Sequence, residues 1–400
     1  MKAIVMRRYG PPDVLEYETV PDPEPRAGEI RIRVHAATVN RVLDVSLRAG
    51  NERARGAVLP LIPGVDCAGV VDAVGSAVTR WRKGMRAAAA GVMPLDICPE
   101  DGGGYDGPTG MMGIKRPGGF AEMVTVPAFA AIELPDGLDF HHAAVIMRHV
   151  PTAWNLLVNV AEFKAGESVL IMGAGGNLGS IGIQIAKNVI GAKVIAAAGS
   201  DERLKMGLDL GADCAINYNT SDLHAEVMAF TGGKGVDVLY DNIANPKVLP
   251  HAFRAIGFDG RLVTAGAHAV NYNACDLQAE VMALTGGKGV DVLYDNIANP
   301  KVLPKAFRAI GFDGRLVTAG AHAGPHVAID FAHLYHKRIT IKGQPGYHPA
   351  DVPKCFAAAA AGRIKAQIER ILPLSRAAEA HRLVESGESL GKIVLDPTQG

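Results

Sequence analysis

Neither sign of charge predominates in this 400-residue chain, where 41 lysines and arginines face 41 aspartates and glutamates. Zero formal net charge leaves no electrostatic footprint for nucleic acid or an anionic membrane. Aromatic residues reach only 6%, too few for extended stacking platforms. The five cysteines (Cys67, Cys98, Cys214, Cys275 and Cys355) form no CxxC pair. An odd, scattered set argues against a disulfide framework and for reduced thiols in the cytoplasm. The N-terminal MKAIVMRRYGPPD meets Pro11-Pro12 before a secretory apolar core can develop. No uncharged apolar run approaches the roughly 18 residues of a membrane span.

What is present is core-forming material. Hydrophobic residues make up 48% against 20% charged, which excludes disorder. A chain this long exceeds what one core organises, so two domains are expected. Residues 1–140 read as β-rich: KAIVM, EIRIRVHAATV, AGVVDAVG and AEMVTVP are short β-branched runs separated by Pro, Gly and Asp. From 141 the grammar changes to SVLIM, a Gly-rich turn, the helical SIGIQIAKNVI, the strand KVIAAAG, the helical ERLKMGLDLGA and the strand CAINY. Fully apolar strands alternating with helices predict a doubly wound parallel α/β sheet. The segment 350–400, ending in the strand GKIVLDP, is too short for a domain and is assigned back to the first. The expected division is 1–140 with 350–400, and 141–349.

A repeat interrupts this pattern. Residues 216–269 recur as 270–323 and differ only at Ile216/Val270, Thr220/Ala274, Ser221/Cys275, His224/Gln278, Phe230/Leu284 and His251/Lys305. Two copies do not make a solenoid, which needs about three stacked units. The expectation is a tandem duplication inside the α/β domain, with one set of strands in the native sheet positions. Copy one directly follows the second βα unit, so Tyr218 should end the third strand. Copy two runs directly into the sixth strand, so Gly320-Ala321 should end the fifth.

The turn Gly173-Ala174-Gly175-Gly176-Asn177-Leu178-Gly179 lies between a buried strand and a helix. Glycines let backbone N–H groups approach a pyrophosphate, and the helix dipole favours the anion. Leu178 stands where a strict GxGxxG would place its last glycine, so the motif rests on its strand–turn–helix context. Sites for NAD commonly end the second strand with an acid that binds the ribose 2′-hydroxyl. Here the strand KVIAAAG carries no acid at its end and is followed by Ser200-Asp201-Glu202-Arg203. Ser200 and Arg203 suit a 2′-phosphate, so NADPH is the expected cofactor; the bland alternative has Ser200 merely capping a helix.

The whole chain resembles the medium-chain dehydrogenase/reductase superfamily, particularly its zinc-free quinone-oxidoreductase-like branch. The resemblance rests on PEPRAGEIRIRVHAATVN, LIPGVDCAGVVDAVGSAVTRWRKGMR, GGFAEMVTVP, PTAWNLL, GAGGNLG, AGSDER, GADCAINY, GVDVLYDNI, GRLVTAGA and GKIVL. It implies a GroES-like β domain, a Rossmann domain and an active site between them. Cofactor contacts then map onto Thr152, Gly175, Gly176, Asn177, Leu178, Gly179, Ser200, Arg203 and Tyr218. They also map onto Asn242 or Asn296, and onto Gly266-Ala267 or Gly320-Ala321, with Asn242, Gly320 and Ala321 the chosen members. The active-site Asn of the branch corresponds to Asn40, although Asn40 lies four residues before Asp44 where the usual spacing is three. Tyr105 is a candidate proton donor.

Zinc members carry GHE where this chain has Gly64-Val65-Asp66, and their first cysteine ligand falls near Arg41. These positions cannot supply tetrahedral zinc, so no metal is expected; His141, His142 and His149 read as helix-end histidines. The expected protein is a cytoplasmic, homodimeric, NADPH-dependent reductase of enones, quinones or related carbonyl compounds. Its competitors are a zinc-type alcohol dehydrogenase and a non-catalytic nucleotide-binding protein.

Overall fold

A computed structural model describes residues 1–51, 56–95, 107–243, 248–264, 277–295, 300–318, 327–343, 347–387 and 389–399. The chain divides into two compact units, Met1–Pro151 with Ala350–Gly400, and Thr152–Pro349. The boundary falls at Pro151 rather than at 140. The reason is the helix Phe140–Trp154, whose first turn is tied to the C-terminal strand by His141 Nε2 and Asp396 Oδ2 at 2.9 Å.

The first unit is built on β1 (Lys2–Met6), β2 (Leu15–Thr19), β3 (Glu29–Thr38), β4 (Asp66–Val74), β5 (Arg86–Ala90), β6 (Val92–Pro94), β7 (Thr109–Met111), β8 (Met123–Pro127) and β9 (Ala131–Glu133). The second holds β10 (Ser168–Met172), β11 (Lys193–Ala198), β12 (Cys214–Asn217), β13 (Val236–Asp241), β14 (Ile256–Thr264), β15 (Val290–Asp295), β16 (Ile310–Thr318) and β17 (Thr340–Gly343). The chain then returns to the first unit with β18 (Ile368–Pro373) and β19 (Lys392–Asp396). There the sheet order is β18-β19-β3-β4-β5-β9, with β8 also on β3. Ile30, Ile32, Val71, Phe120, Val124, Ile393 and Leu395 sit in its core. The alternating pattern of EIRIRV reflects one buried face.

In the second unit a parallel five-stranded sheet runs β12-β11-β10-β13-β14. Every residue of the central SVLIM strand is buried, as expected for a strand covered on both faces. This is the Rossmann half of a mixed α/β fold.

Both repeat copies form the same strand pair. Val238 pairs with Arg261 and Tyr240 with Val263 in copy one; Val292 pairs with Arg315 and Tyr294 with Val317 in copy two. The third strand, Cys214–Asn217, runs into copy one, and Tyr218 follows it directly rather than ending it. The fifth position departs from expectation. β14 of copy one occupies it, whereas β16 of copy two joins β15 and β17 in a separate three-stranded sheet. A short crossover links β13 to β14, so copy one closes first at the lower loop entropy. The sixth strand follows copy two into a small core of Leu303, Phe307, Ile310, Leu316 and Ile339. Phe331 and Tyr335 on the neighbouring helix remain 75% and 76% exposed.

Because β14 and β16 share the sequence IGFDGRLVT, β14 presents the backbone and side chains that β17 already recognises. Deleting 270–323 should leave a folded chain in which β17 pairs with β14. Hydrogen exchange of the Ile256–Thr264 amides should slow on the order of tenfold or more. An insoluble product, or unchanged exchange, would show that the repeat is integral to the fold.

Candidate functional site

β10 delivers the chain to Gly173, whose φ of +70° is a left-handed conformation open to glycine. Its N–H donates to Ala197 O at 2.8 Å, and the Gly176 N–H donates to Gly173 O at 2.9 Å. Gly176 then opens the helix Asn177–Gln184 with extended backbone and no capping side chain. A Cβ on Gly179 would stand 2.2 Å from Gly173 O, so glycine permits this close approach of helix and strand. The N–H groups of Asn177, Leu178 and Gly179 fall in a first helical turn, where donors lack intrahelical partners. They form an anion cradle reinforced by the helix dipole.

Asn242, just beyond β13, completes the cradle. Its Oδ1 lies 2.8 Å from where a Cβ on Gly173 would be. Its Nδ2 is buried without a hydrogen-bond partner among the described residues. Such an orphan donor costs roughly 1–3 kcal/mol, and an acceptor on a bound dinucleotide would satisfy it. The turn therefore fits the cofactor that its motif implies.

Beside this cradle, Ser200 caps the helix Asp201–Asp209 through its backbone, but its side chain makes no capping bond. Asp201 accepts from Asn217 Nδ2 at 2.8 Å. Arg203 packs its stem on Gly175 and donates from Nη1 to Gly175 O at 3.3 Å. The Tyr218 hydroxyl lies 3.1 Å from where a Cβ on Gly199 would be. Partial burial pushes this hydroxyl above its ordinary pKa, opposed by the Arg203 charge. Gly175, Ser200, Arg203 and Tyr218 thus converge at the end of the second strand. Thr152 is half-buried at the start of this unit, while Tyr105, Gly320 and Ala321 lie outside the described residues.

Asn40 belongs to the other unit and is 4% exposed. The additional residue between Asn40 and Asp44 is absorbed as a π-helical turn over Arg41–Val45, closed by Val45 N–H on Asn40 O at 3.1 Å. Such turns occur often at functional positions. Across this turn Asn40 N–H donates to Asp44 Oδ2 at 2.8 Å. The carboxamide Nδ2 donates to Thr38 Oγ1 at 3.0 Å and to Asp66 Oδ2 at 3.1 Å, and its Oδ1 accepts from Lys392 Nζ at 3.1 Å.

Lys392, Asp44 and Asp66 are all buried. Burial is the main cause that drives the Lys392 ammonium down to about 8 and the Asp44 carboxyl up to about 7, Asp66 adding to the latter by repulsion. Asp66 shifts upward for the same reason, against hydrogen bonds from Thr38 and Asn40. His149 Nε2 is buried without a partner among the described residues, and burial holds its imidazole well below the usual range. The family resemblance had marked Asn40, but nothing in the sequence reading had joined Lys392, Asp44 and Asp66 to it as one cluster. A lysine opening the apolar strand KIVLD was the available signal.

At the zinc-ligand positions, Val65 is a buried hydrocarbon side chain and Arg41 an exposed cation. Among the described residues no group of three His, Cys, Asp or Glu could hold a metal ion.

The alcohol dehydrogenase GroES-like domain matches residues 26–136, and two family models for zinc-binding dehydrogenases match 177–269 and 265–395. The quinone oxidoreductase of Rattus norvegicus is 31% identical over 288 residues, covering 72% of this chain and 79% of that protein. The chain belongs to the medium-chain dehydrogenase/reductase superfamily and is quinone-oxidoreductase-like. The NADPH-dependent alkenal/one oxidoreductase, chloroplastic, of Arabidopsis thaliana is 37% identical over 224 residues, 56% of this chain and 54% of that protein. The crystal structure of an NAD-dependent alcohol dehydrogenase superposes with a TM-score of 0.68 at 29% identity, covering 99% of each chain. Within this superfamily the chain is an oxidoreductase that uses a nicotinamide cofactor and a small-molecule substrate. Among the described residues no helix is long and apolar enough to cross a membrane.

The orphan Nδ2 makes a test of the cradle. Asn242→Ala removes an unsatisfied donor, so the melting temperature without ligand should stay level or rise. Cofactor affinity should fall by about five- to tenfold, the worth of one hydrogen bond. Fluorescence titration and thermal melts would check both, and unchanged affinity would place Asn242 outside the binding site.

Proposed function

We propose that this oxidoreductase is a zinc-independent, NADPH-dependent reductase of enones, quinones or related carbonyl compounds. The observation that carries the reading is the end of the second strand. No acid occupies it, the Ser200 side chain makes no capping bond, and Arg203 is seated on the phosphate-binding turn. Arginine there suits a 2′-phosphate, which it can hold by charge-assisted bonds. The relatives named for quinones and for NADPH-dependent alkenal reduction point to the same chemistry.

When bound, the dinucleotide supplies a hydride. Gly175, Gly176, Asn177, Leu178, Gly179 and Asn242 hold its phosphates; Ser200, Arg203 and Tyr218 hold its adenosine end. Thr152 is assigned to the cofactor by its place in the family pattern, and with β14 in the fifth position that pattern assigns Gly266-Ala267 rather than Gly320-Ala321. Conjugate reduction leaves charge spread over an enolate, which hydrogen-bond donors can stabilise without a Lewis acid. Val65 and Arg41 give a zinc-type alcohol dehydrogenase no ligands at the expected places. Asn40 is the amide assigned to the reacting end. Both of its Nδ2 protons already serve Thr38 and Asp66, so donation to an enolate oxygen requires that one partner be exchanged. Tyr105 is assigned as the proton donor.

Arg203→Ala should weaken NADPH binding by roughly tenfold or more while leaving NADH nearly unchanged, as loss of a charged hydrogen bond predicts. Equal losses would remove Arg203 from the 2′-phosphate. NADPH consumption with a panel of quinones, enones and aldehydes tests the reaction. Efficient oxidation of simple alcohols, with activated alkenes and quinones ignored, would overturn the reading.

A further inference from the structure

The antiparallel register of β19 on β3 pairs Val394 with Thr38 and Leu395 with Ala37. Two residues further, Lys392 stands opposite Asn40, and its Nζ reaches Asn40 Oδ1 at 3.1 Å with both side chains buried. On the other side of the same carboxamide, Nδ2 meets the Asp66 carboxylate at 3.1 Å. An ammonium can only donate and a carboxylate can only accept. Between them the amide has one orientation, oxygen toward Lys392 and nitrogen toward Asp66. We propose that Lys392 is a positioning residue for the reaction, fixing the orientation of Asn40 from the C-terminal strand. This rests on the reading of Asn40 as the amide at the reacting end.

The charge of Lys392 is part of the device. The charged and titratable groups acting on it are Asp44 and Asp66, which favour the ammonium, and Arg148, which opposes it; His149 stands under the same Lys392 charge. Asp44 loses its proton mainly below pH 8, since its carboxyl titrates near 7. Above about pH 8 the ammonium becomes an amine, the Asn40 Oδ1 contact loses its charge assistance, and the hold on the amide weakens.

The test uses the full chain and the Lys392→Met variant, which keeps the length of the side chain without its charge. In wild type, kcat for quinone or enone reduction should fall above about pH 8. The variant should lose on the order of ten- to a hundredfold in kcat, keep its NADPH dissociation constant and lose the alkaline limb. A second readout does not need turnover. In protein labelled with 15N-asparagine, the Asn40 side-chain signal, assigned by its absence in Asn40→Asp, should shift with a midpoint near pH 8 in wild type only. Equal Asn40 signals and pH dependence in both proteins would overturn the positioning role. If wild type turns over none of these substrates while the Asn40 signal responds to Lys392→Met, the contact stands and the reductase reading fails. A variant that alters NADPH affinity as much as kcat would point to general loss of structure and also count against the proposal.

Discussion

The pairing of β19 with β3 is the constraint on which the first unit depends. It joins the two ends of the chain, so the whole Rossmann unit is an excursion between strands of one sheet. It also explains how a lysine comes to lie inside a protein core. The strand KIVLD is buried at every residue, and its neighbour β3 ends where Thr38 and Asn40 turn inward. Once the register is set by Val394 opposite Thr38, Lys392 has nowhere to go but toward the carboxamide and the two carboxylates. Strand pairing therefore decides the electrostatics of this cluster.

The repeat shows what happens when sequence alone cannot decide a pairing. β13 and β15 read VDVLYD, and β14 and β16 read IGFDGRLVT. Propensity and pattern are the same for both copies, so chain proximity decides. Copy one lies next to β10–β12 along the chain and fills the sheet; copy two lies next to β17 and takes it. The outcome is two separate sheets, of five and three strands, each with its own core. Exposed Phe331 and Tyr335 accompany the smaller half, the apolar surface expected where a larger core has been divided.

Much of this was legible in the residues. SVLIM followed by Gly173–Gly179 announced a buried strand and a phosphate turn, because continuous apolar character and closely placed glycines each have a physical cause. Tyr218 follows the third strand directly and Asn242 follows β13, while Arg203 donates to Gly175 O. The fifth strand was not legible, since two nearly identical copies offer no local signal for choosing between them. The boundary at Pro151 was missed because a helix with continuous periodicity hides a change of unit. The cluster of Lys392, Asp44 and Asp66 was missed because its members are far apart in the chain and meet only through the antiparallel register. Asn40 was pointed to by the family resemblance, and its four-residue spacing to Asp44 makes sense only as a π-helical turn.

The buried cluster is not there for stability. Asp44 carries a folded pKa near 7, above its ordinary 3.8, so between those values the folded state holds more protons than the unfolded chain. Its contribution is therefore present below about 4 and is lost as pH rises through 7. Lys392 has a folded pKa near 8, below its ordinary 10.5, so its contribution returns only as pH rises from 8 toward that value. Between these two windows, around neutral pH, neither group favours folding. Removing charges from water is seldom repaid by their mutual attraction, and apolar side chains in the same places would be no less stable. What apolar residues could not do is hold a carboxamide in one orientation. The ammonium on one side of Asn40 and the carboxylate on the other do that, and a local loss of stability at the pH of function is the pattern expected where a core is shaped by chemistry rather than by packing.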